Sequence, residues 1–341
     1  MVNRKRLILM VVGFIFLMPV LVLAGIIELP QTGQTRCYDS YGDEIYCAGA
    51  GQDGEIRAGA PWPYPRFTNP DGSTPIDGDC VLDRLTGLIW TRNGNHGFMP
   101  WDQALDYANN FTLCGYSEWH LPNINQLESL VNADEPNSAA WLNAQGFYNV
   151  QYRYWSSTTF EYDANYAWWI YMLGGNVYYS AFKQNNFYVW LVHSGQQSTP
   201  DVAYPANLWK TGQKIRYYIG DDGDLQRGVA WPEPRYTDNG DGTVTDNLTG
   251  LMWLKDANCI STEYPSYSYY GNVTWEQALD FVKGINNGTY SNCGAGYYDW
   301  RLPNRKELMS LIDRSQYGLA LPAGHPFLNV QLMYFASTKS A

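Results

Sequence analysis

The chain has 341 residues, 45% of them hydrophobic and 16% aromatic, with 14 Trp, 28 Tyr and 12 Phe. That is too much apolar surface for a disordered polymer, and the length accommodates two domains with cores of their own. The formal charge is −11; residues 1–24 hold three basic and no acidic residues, so their removal leaves 19 Lys+Arg against 33 Asp+Glu, or −14. A surface of that sign disfavours nucleic acid, anionic membranes and heavily sulfated glycans as partners.

Residues 1–24 read as a signal peptide. Arg4-Lys5-Arg6 precede an apolar run from Leu7 to Ala24, and Val22-Leu23-Ala24 has the small-residue pattern of a cleavage site. Cleavage after Ala24 gives a secreted, extracellular or cell-surface protein, with the periplasm as the alternative compartment. Retention of the run as an anchor is the competing reading. No later apolar run approaches the ~18–20 residues that span a bilayer, so no membrane span is expected once the signal is gone.

The rest of the chain is a tandem repeat. Gly51–Arg66 matches Gly220–Arg235 without a gap. Leu85-Thr-Gly-Leu-Ile-Trp90 returns as Leu248-Thr-Gly-Leu-Met-Trp253, and Trp101-Asp-Gln-Ala-Leu-Asp106 as Trp275-Glu-Gln-Ala-Leu-Asp280. Glu118-Trp-His-Leu-Pro-Asn123 returns as Asp299-Trp-Arg-Leu-Pro-Asn304, and Tyr154-Trp-Ser-Ser-Thr158 as Tyr334-Phe-Ala-Ser-Thr338. Copy 1 is assigned to residues 25–200 and copy 2 to 201–341, with the boundary in the Gly, Ser, Gln and Pro-rich stretch 195–205. Copy 2 lacks the counterpart of the roughly thirty-five residues that follow Thr158, so its edges and core face are expected to be uncovered.

Apolar residues at Trp101, Ala104, Leu105, Ala108 and at Trp275, Ala278, Leu279, Val282 predict one helix per copy, the second opened by Thr274 and Gln277 as a capping box. A further helix follows each Leu-Pro-Asn. Asn123 and Asn304 cap it, Gln126 and Glu307 take the reciprocal N3 position, and Leu127/Leu130/Val131 and Leu308/Leu311/Ile312 form its buried stripe. Residues 167–173, 177–182 and 187–192 predict an antiparallel meander. Two helices and a mostly antiparallel sheet per copy make the fold class α+β.

Secretion favours disulfides, and the repeat narrows the 15 pairings that six cysteines allow. Cys259 and Cys293 are the pair of copy 2; Cys114 occupies the position of Cys293 and takes Cys80; Cys37 and Cys47 close a local loop. No CxxC or zinc spacing is present. His96, His120, His193 and His325 are scattered, and Arg301 stands where copy 1 has His120, so no shared catalytic site is read and the protein is not expected to be an enzyme. No cofactor is expected; a calcium site on Asp238, Asp241 and Asp246 is the one alternative, set against ordinary Asp-Gly turn chemistry.

The aromatic stretch from Phe147 to Trp190 carries the binding expectation. Alternation places Trp168, Ile170 and Met172 on one face of a strand and Trp169 and Tyr171 on the other. Trp169, Tyr171 and Tyr178, with Asn176, Asn185 and Asn186 at the turns, are the candidate ligand-binding residues. Such faces stack on sugar rings while amides bond hydroxyls. A glycan or an extracellular protein is the expected partner, and a homo-oligomer is admitted.

The segments 238–253 (DNGDGTVTDNLTGLMW) and 299–308 (DWRLPNRKEL) resemble the Lcl C-terminal domain family, which takes its name from a bacterial collagen-like adhesin. The resemblance covers nearly all the mature chain as one full and one shorter copy, and implies secreted or surface proteins, often adhesive, associated in the named adhesin with sulfated glycosaminoglycans. The Trp-x-x-Ala helix followed by Trp-x-Leu-Pro-Asn-x-x-Glu-Leu also resembles the C-type-lectin-like fold of formylglycine-generating enzymes. This implies tandem C-type-lectin-like modules, without the cysteine pair those enzymes use. The rival expectation is a structural or assembly subunit of an extracellular complex with no glycan ligand.

Overall fold

The computed structural model describes residues 26–195, 203–267 and 272–339. The signal segment and much of the inter-copy boundary lie outside these residues. Among the described residues the chain is α+β, with four sheets and eight α-helices, and no helix is long and apolar enough to cross a membrane.

Copy 1 opens with a ribbon, β1 (Cys37–Tyr38) and β2 (Glu44–Ile45), and a one-turn helix α1 (Asp53–Ile56). The four-stranded sheet contains β3 (Phe67–Thr68), β4 (Cys80–Asp83) and β5 (Ile89–Thr91). The five-stranded sheet is built from β6 (Phe98–Met99), β7 (Arg153–Thr159), β8 (Tyr166–Tyr171), β9 (Asn176–Phe182) and β10 (Phe187–Tyr188), while β11 (Val192–His193) returns to the first sheet. Helices α2 (Trp101–Asn109), α3 (Ile124–Ser129) and α4 (Ser138–Ala144) pack on these sheets. Copy 2 contributes α5 (Asp222–Leu225), a three-stranded sheet of β12 (Tyr236–Asp238), β13 (Thr243–Asp246) and β14 (Met252–Leu254), then α6 (Cys259–Glu263), α7 (Trp275–Asn286) and α8 (Arg305–Ser310).

The capping motifs form as their spacing requires. Asn123 and Gln126, Thr274 and Gln277, and Asn304 and Glu307 each complete a reciprocal capping box. The three disulfides are Cys37–Cys47, Cys80–Cys114 and Cys259–Cys293.

The meander expectation is corrected. β8 and β9 are antiparallel neighbours, but β10 does not follow β9; it lies on the far side of β7, parallel to it, in the order β6-β10-β7-β8-β9. The segment 187–193 then crosses into the other sheet, where Val192 pairs with Trp90 and also bridges to His120. Val189, Trp190, Leu191 and Val192 are all fully buried. This is the spine of copy 1. Tyr154, Ile170, Trp190 and the α3 stripe form one core cluster, and Trp155, Phe187, Leu191 and the α2 stripe form another.

The two copies interlock through a second repeated motif, Thr32-Gly33-Gln34 and Thr211-Gly212-Gln213, that precedes each Asp-Gly helix. Gln213 closes a two-bond clasp on the backbone of Thr159 in copy 1, while Gln34 makes the same clasp on Lys339 in copy 2, at 3.1 and 3.2 Å. Asp222 accepts from Thr158 and Thr211, and Asp53 from Thr32 and Thr338. Each copy's leading segment therefore holds the other copy's Ser/Thr strand.

Candidate functional site

Cross-strand register decides which aromatics meet, because directly opposed residues share a face. Arg153, Tyr171 and Asn176 form one row across β7, β8 and β9, and Trp155, Trp169 and Tyr178 form the next. Helix α2 covers this face near Trp155, Ala167 and Ala181. At the margin Trp169 is half-buried, Tyr178 is 41% exposed, and their rings stack 4.7 Å apart at 22°. The Arg153 guanidinium lies 5.9 Å from the Trp169 ring and 5.4 Å from Tyr152. Tyr152 in turn neighbours Tyr171 and Tyr188, and Tyr188 packs 4.8 Å from Phe98 at the sheet edge. The result is a strip of aromatic faces with one cation among them.

At its Asn176 end the strip meets a cleft of about 220 Å³ between the copies. Asn132, Glu135 and Asn176 from copy 1 face Arg305, Thr338 and Lys339 from copy 2. Arg305 donates to the Gly175 carbonyl and lies 3.1 Å from buried Glu128, which also binds Lys306. The cleft thus offers amide, carboxylate and cationic groups beside the aromatic strip.

The structure brings together Trp169, Tyr171, Asn176 and Tyr178. Asn185 and Asn186 lie elsewhere, on the turn after Phe182, which pairs with Tyr166 at the opposite end of β8. Five residues of strand rise separate the two ends, about 16 Å. Arg153, Tyr152 and Phe98 belong to the strip but escape sequence reasoning, because their approach depends on the placement of β10 and β6. The period-2 alternation of Tyr152, Tyr154 around Arg153 was the available signal.

The calcium alternative is corrected. Asp246 is committed to a buried ion pair with Arg235 at 2.6 Å, Asp238 to Lys255, and Asp241 to Thr243 and Tyr297. These carboxylates do not converge, and among the described residues no group of three His, Cys, Asp or Glu side chains could hold a metal ion. The equivalent Arg66–Asp83 pair of copy 1 confirms the arrangement as framework: both arginines also donate to a serine carbonyl at the end of the capped helix, Ser129 or Ser310.

The histidines sit in core surroundings. Burial pushes His120 down to about 3, with Gln126 as its side-chain neighbour, and His96 down to about 4 beside Thr91 and Tyr107. Both are neutral imidazoles at physiological pH.

No curated protein matches the chain. The Lcl C-terminal domain matches over residues 79–193 and again over 242–341, two segments that coincide with the two repeated copies, and the chain belongs to that family.

Proposed function

We propose that this protein is a secreted or cell-surface recognition module, adhesin-like and non-catalytic, built from two C-type-lectin-like copies, that holds a glycan against the aromatic strip of copy 1. The carrying observation is the stacked, partly exposed Trp169–Tyr178 pair with Arg153 and Tyr171 in the neighbouring row. Flat aromatic faces take the apolar face of a sugar ring, and Arg153 and Asn176 supply hydrogen bonds to its hydroxyls. Three disulfides are compatible with an oxidising compartment. The net charge of −14 directs the choice toward neutral glycans.

The test is the oxidised mature chain on an array of neutral, acidic and sulfated glycans, with and without chelator. Binding to neutral glycans, insensitive to chelator and weakened about tenfold by Tyr178→Ala and by Arg153→Ala, is the expected result. Equal binding by those variants, or silence across the array, overturns the reading. The second reading, a subunit of an extracellular assembly, is favoured by one observation: the open core face of copy 2.

A further inference from the structure

The internal repeat supplies its own reference for what a closed core looks like. Trp90, Tyr154 and Trp155 of copy 1 are fully buried, and Trp101 is 2% exposed. Their counterparts in copy 2 are open: Trp253 and Trp275 are half-buried, Tyr334 is 46% exposed and Phe335 47%. Leu332 and Met333, just before them, are the most exposed large apolar residues of copy 2, at 79% and 88%.

The difference maps onto one element. In copy 1, β5 is paired on both sides, by β4 and by β11. The Thr91 amide donates to Leu191, and His120 exchanges both backbone hydrogen bonds with Val192. In copy 2 the equivalent β14 pairs with β13 alone and forms the outer edge of its sheet among the described residues. Arg301, the counterpart of His120, makes no β-bridge there. A sheet edge next to a row of exposed aromatics is a template for strand addition.

We infer that copy 2 presents a strand slot, and that its occupant is an extended segment with the apolar pattern of residues 187–192, Phe-Tyr-Val-Trp-Leu-Val, donated by a partner polypeptide. The chemistry follows from the reference. In copy 1 the occupant has no charge from Phe187 to Val192; its Val189–Val192 stretch is wholly buried, and Trp190 packs 5.5 Å from Trp90 and 5.3 Å from Tyr154. The slot in copy 2 offers Trp253 and Tyr334 at those places. Completion by a segment from elsewhere is already part of this architecture, since Gln34 and Gln213 each clasp the other copy's strand. The inference is independent of glycan binding by copy 1.

The experiment uses the whole oxidised chain and a synthetic peptide of residues 184–195 carrying a solubilising lysine tail. Hydrogen exchange is followed over 252–254 and 333–338, with 89–91 and 153–159 as internal controls. Binding is expected to slow exchange in copy 2 at least tenfold while copy 1 is unchanged. A peptide with Trp190→Asp and Val192→Asp is expected to do nothing. Three results would overturn the proposal: no protection by the native peptide; equal protection by the substituted peptide; or concentration-dependent dimers that protect 252–254 without peptide, which would assign the face to a second copy of the chain.

Discussion

The buried ion pair that ties the two capped helices together yields the sharpest stability prediction. Lys306 of α8 lies 2.6 Å from Glu128 of α3, and both side chains are 3% exposed. Lys306→Met leaves the carboxylate buried with only Arg305 beside it, and leaves the Glu128 carbonyl without its 2.7 Å donor. Breaking a buried pair from one side costs about 3–5 kcal/mol, and Arg305 keeps the loss near the lower figure, about 3 kcal/mol. Glu128→Leu strands the amine instead, which can shed its proton. Burial already lowers Lys306 to about 8 in the presence of Glu128, whose charge holds the proton on. Without Glu128 it falls further, and holding a neutral amine against an unfolded value near 10.4 costs about 1.4 kcal/mol per pH unit, or about 4–5 kcal/mol at pH 7. The unfolded chain then binds a proton that the native chain does not. Stability of Glu128→Leu therefore rises by about 1.4 kcal/mol per unit from pH 7 to 9, whereas Lys306→Met gains no such slope from this site. The double variant, apolar on both sides, should lie within about 1 kcal/mol of the parent. Urea unfolding followed by tryptophan fluorescence at pH 7, 8 and 9 decides it. Single variants within 1 kcal/mol of the parent, or a double variant equal to the sum of the singles, would refute the reasoning.

Other consequences are narrower. Burial raises Asp222 to about 6, so the native chain holds this proton more tightly than the unfolded one, and its contribution to stability falls as pH rises from about 4 to 6; thermal melts of Asp222→Asn across that range should lose this decline, and an unaltered profile would reject it. The loop closed by Cys259–Cys293 spans 34 residues, as does that of Cys80–Cys114. Replacing either pair by alanine should cost about 3–4 kcal/mol in denaturant titrations, and a loss under 1 kcal/mol would count against both bridges as structural staples.

Features set by short-range chemistry were legible in the sequence. Asn123 with Gln126 and Asn304 with Glu307 cap their helices within four residues, and the repeat sorts the cysteines by position. The path of 187–193 was not legible. A run rich in β-branched and aromatic residues after a turn reads as the next hairpin strand, yet pairing with both β7 and β5 buries Trp190 between two sheets, and that reward is visible only in three dimensions. The Gln34 and Gln213 clasps were hidden for the same reason: Gln34 meets Lys339 across 305 residues. Of the candidate surface, Trp169, Tyr171, Asn176 and Tyr178 follow from strand alternation, while Asn185 and Asn186 were misplaced because a turn residue's distance from a site depends on which end of the strand it caps.

The divergence between copies at the N3 position of the capped helices tests how far the duplicated frame constrains its residues. Gln126 and Glu307 perform the same capping task, each accepting from the backbone amide of the N-cap asparagine. The residue that faces each one has changed with it. Neutral His120 stands beside the amide of Gln126, whereas Arg301 forms a fork on the carboxylate of Glu307, which is 4% exposed. Charge matching, more than conservation of either residue, accounts for both pairs. Arg301→His should therefore cost about 2–3 kcal/mol at pH 7.5 by stranding Glu307, and adding Glu307→Gln should return the protein to within about 1 kcal/mol of the parent. The sign of the pH effect separates this from loss of packing. An imidazolium beside Glu307 has a raised folded pKa, so the deficit of the single variant should shrink as pH falls through about 6.5 toward 5, while the double variant shows no such recovery. Melts at pH 5 and 7.5 read both effects. A double variant no more stable than the single would mean that the guanidinium is retained for its packing, and that the paired change from His and Gln to Arg and Glu is a coincidence of the two sequences.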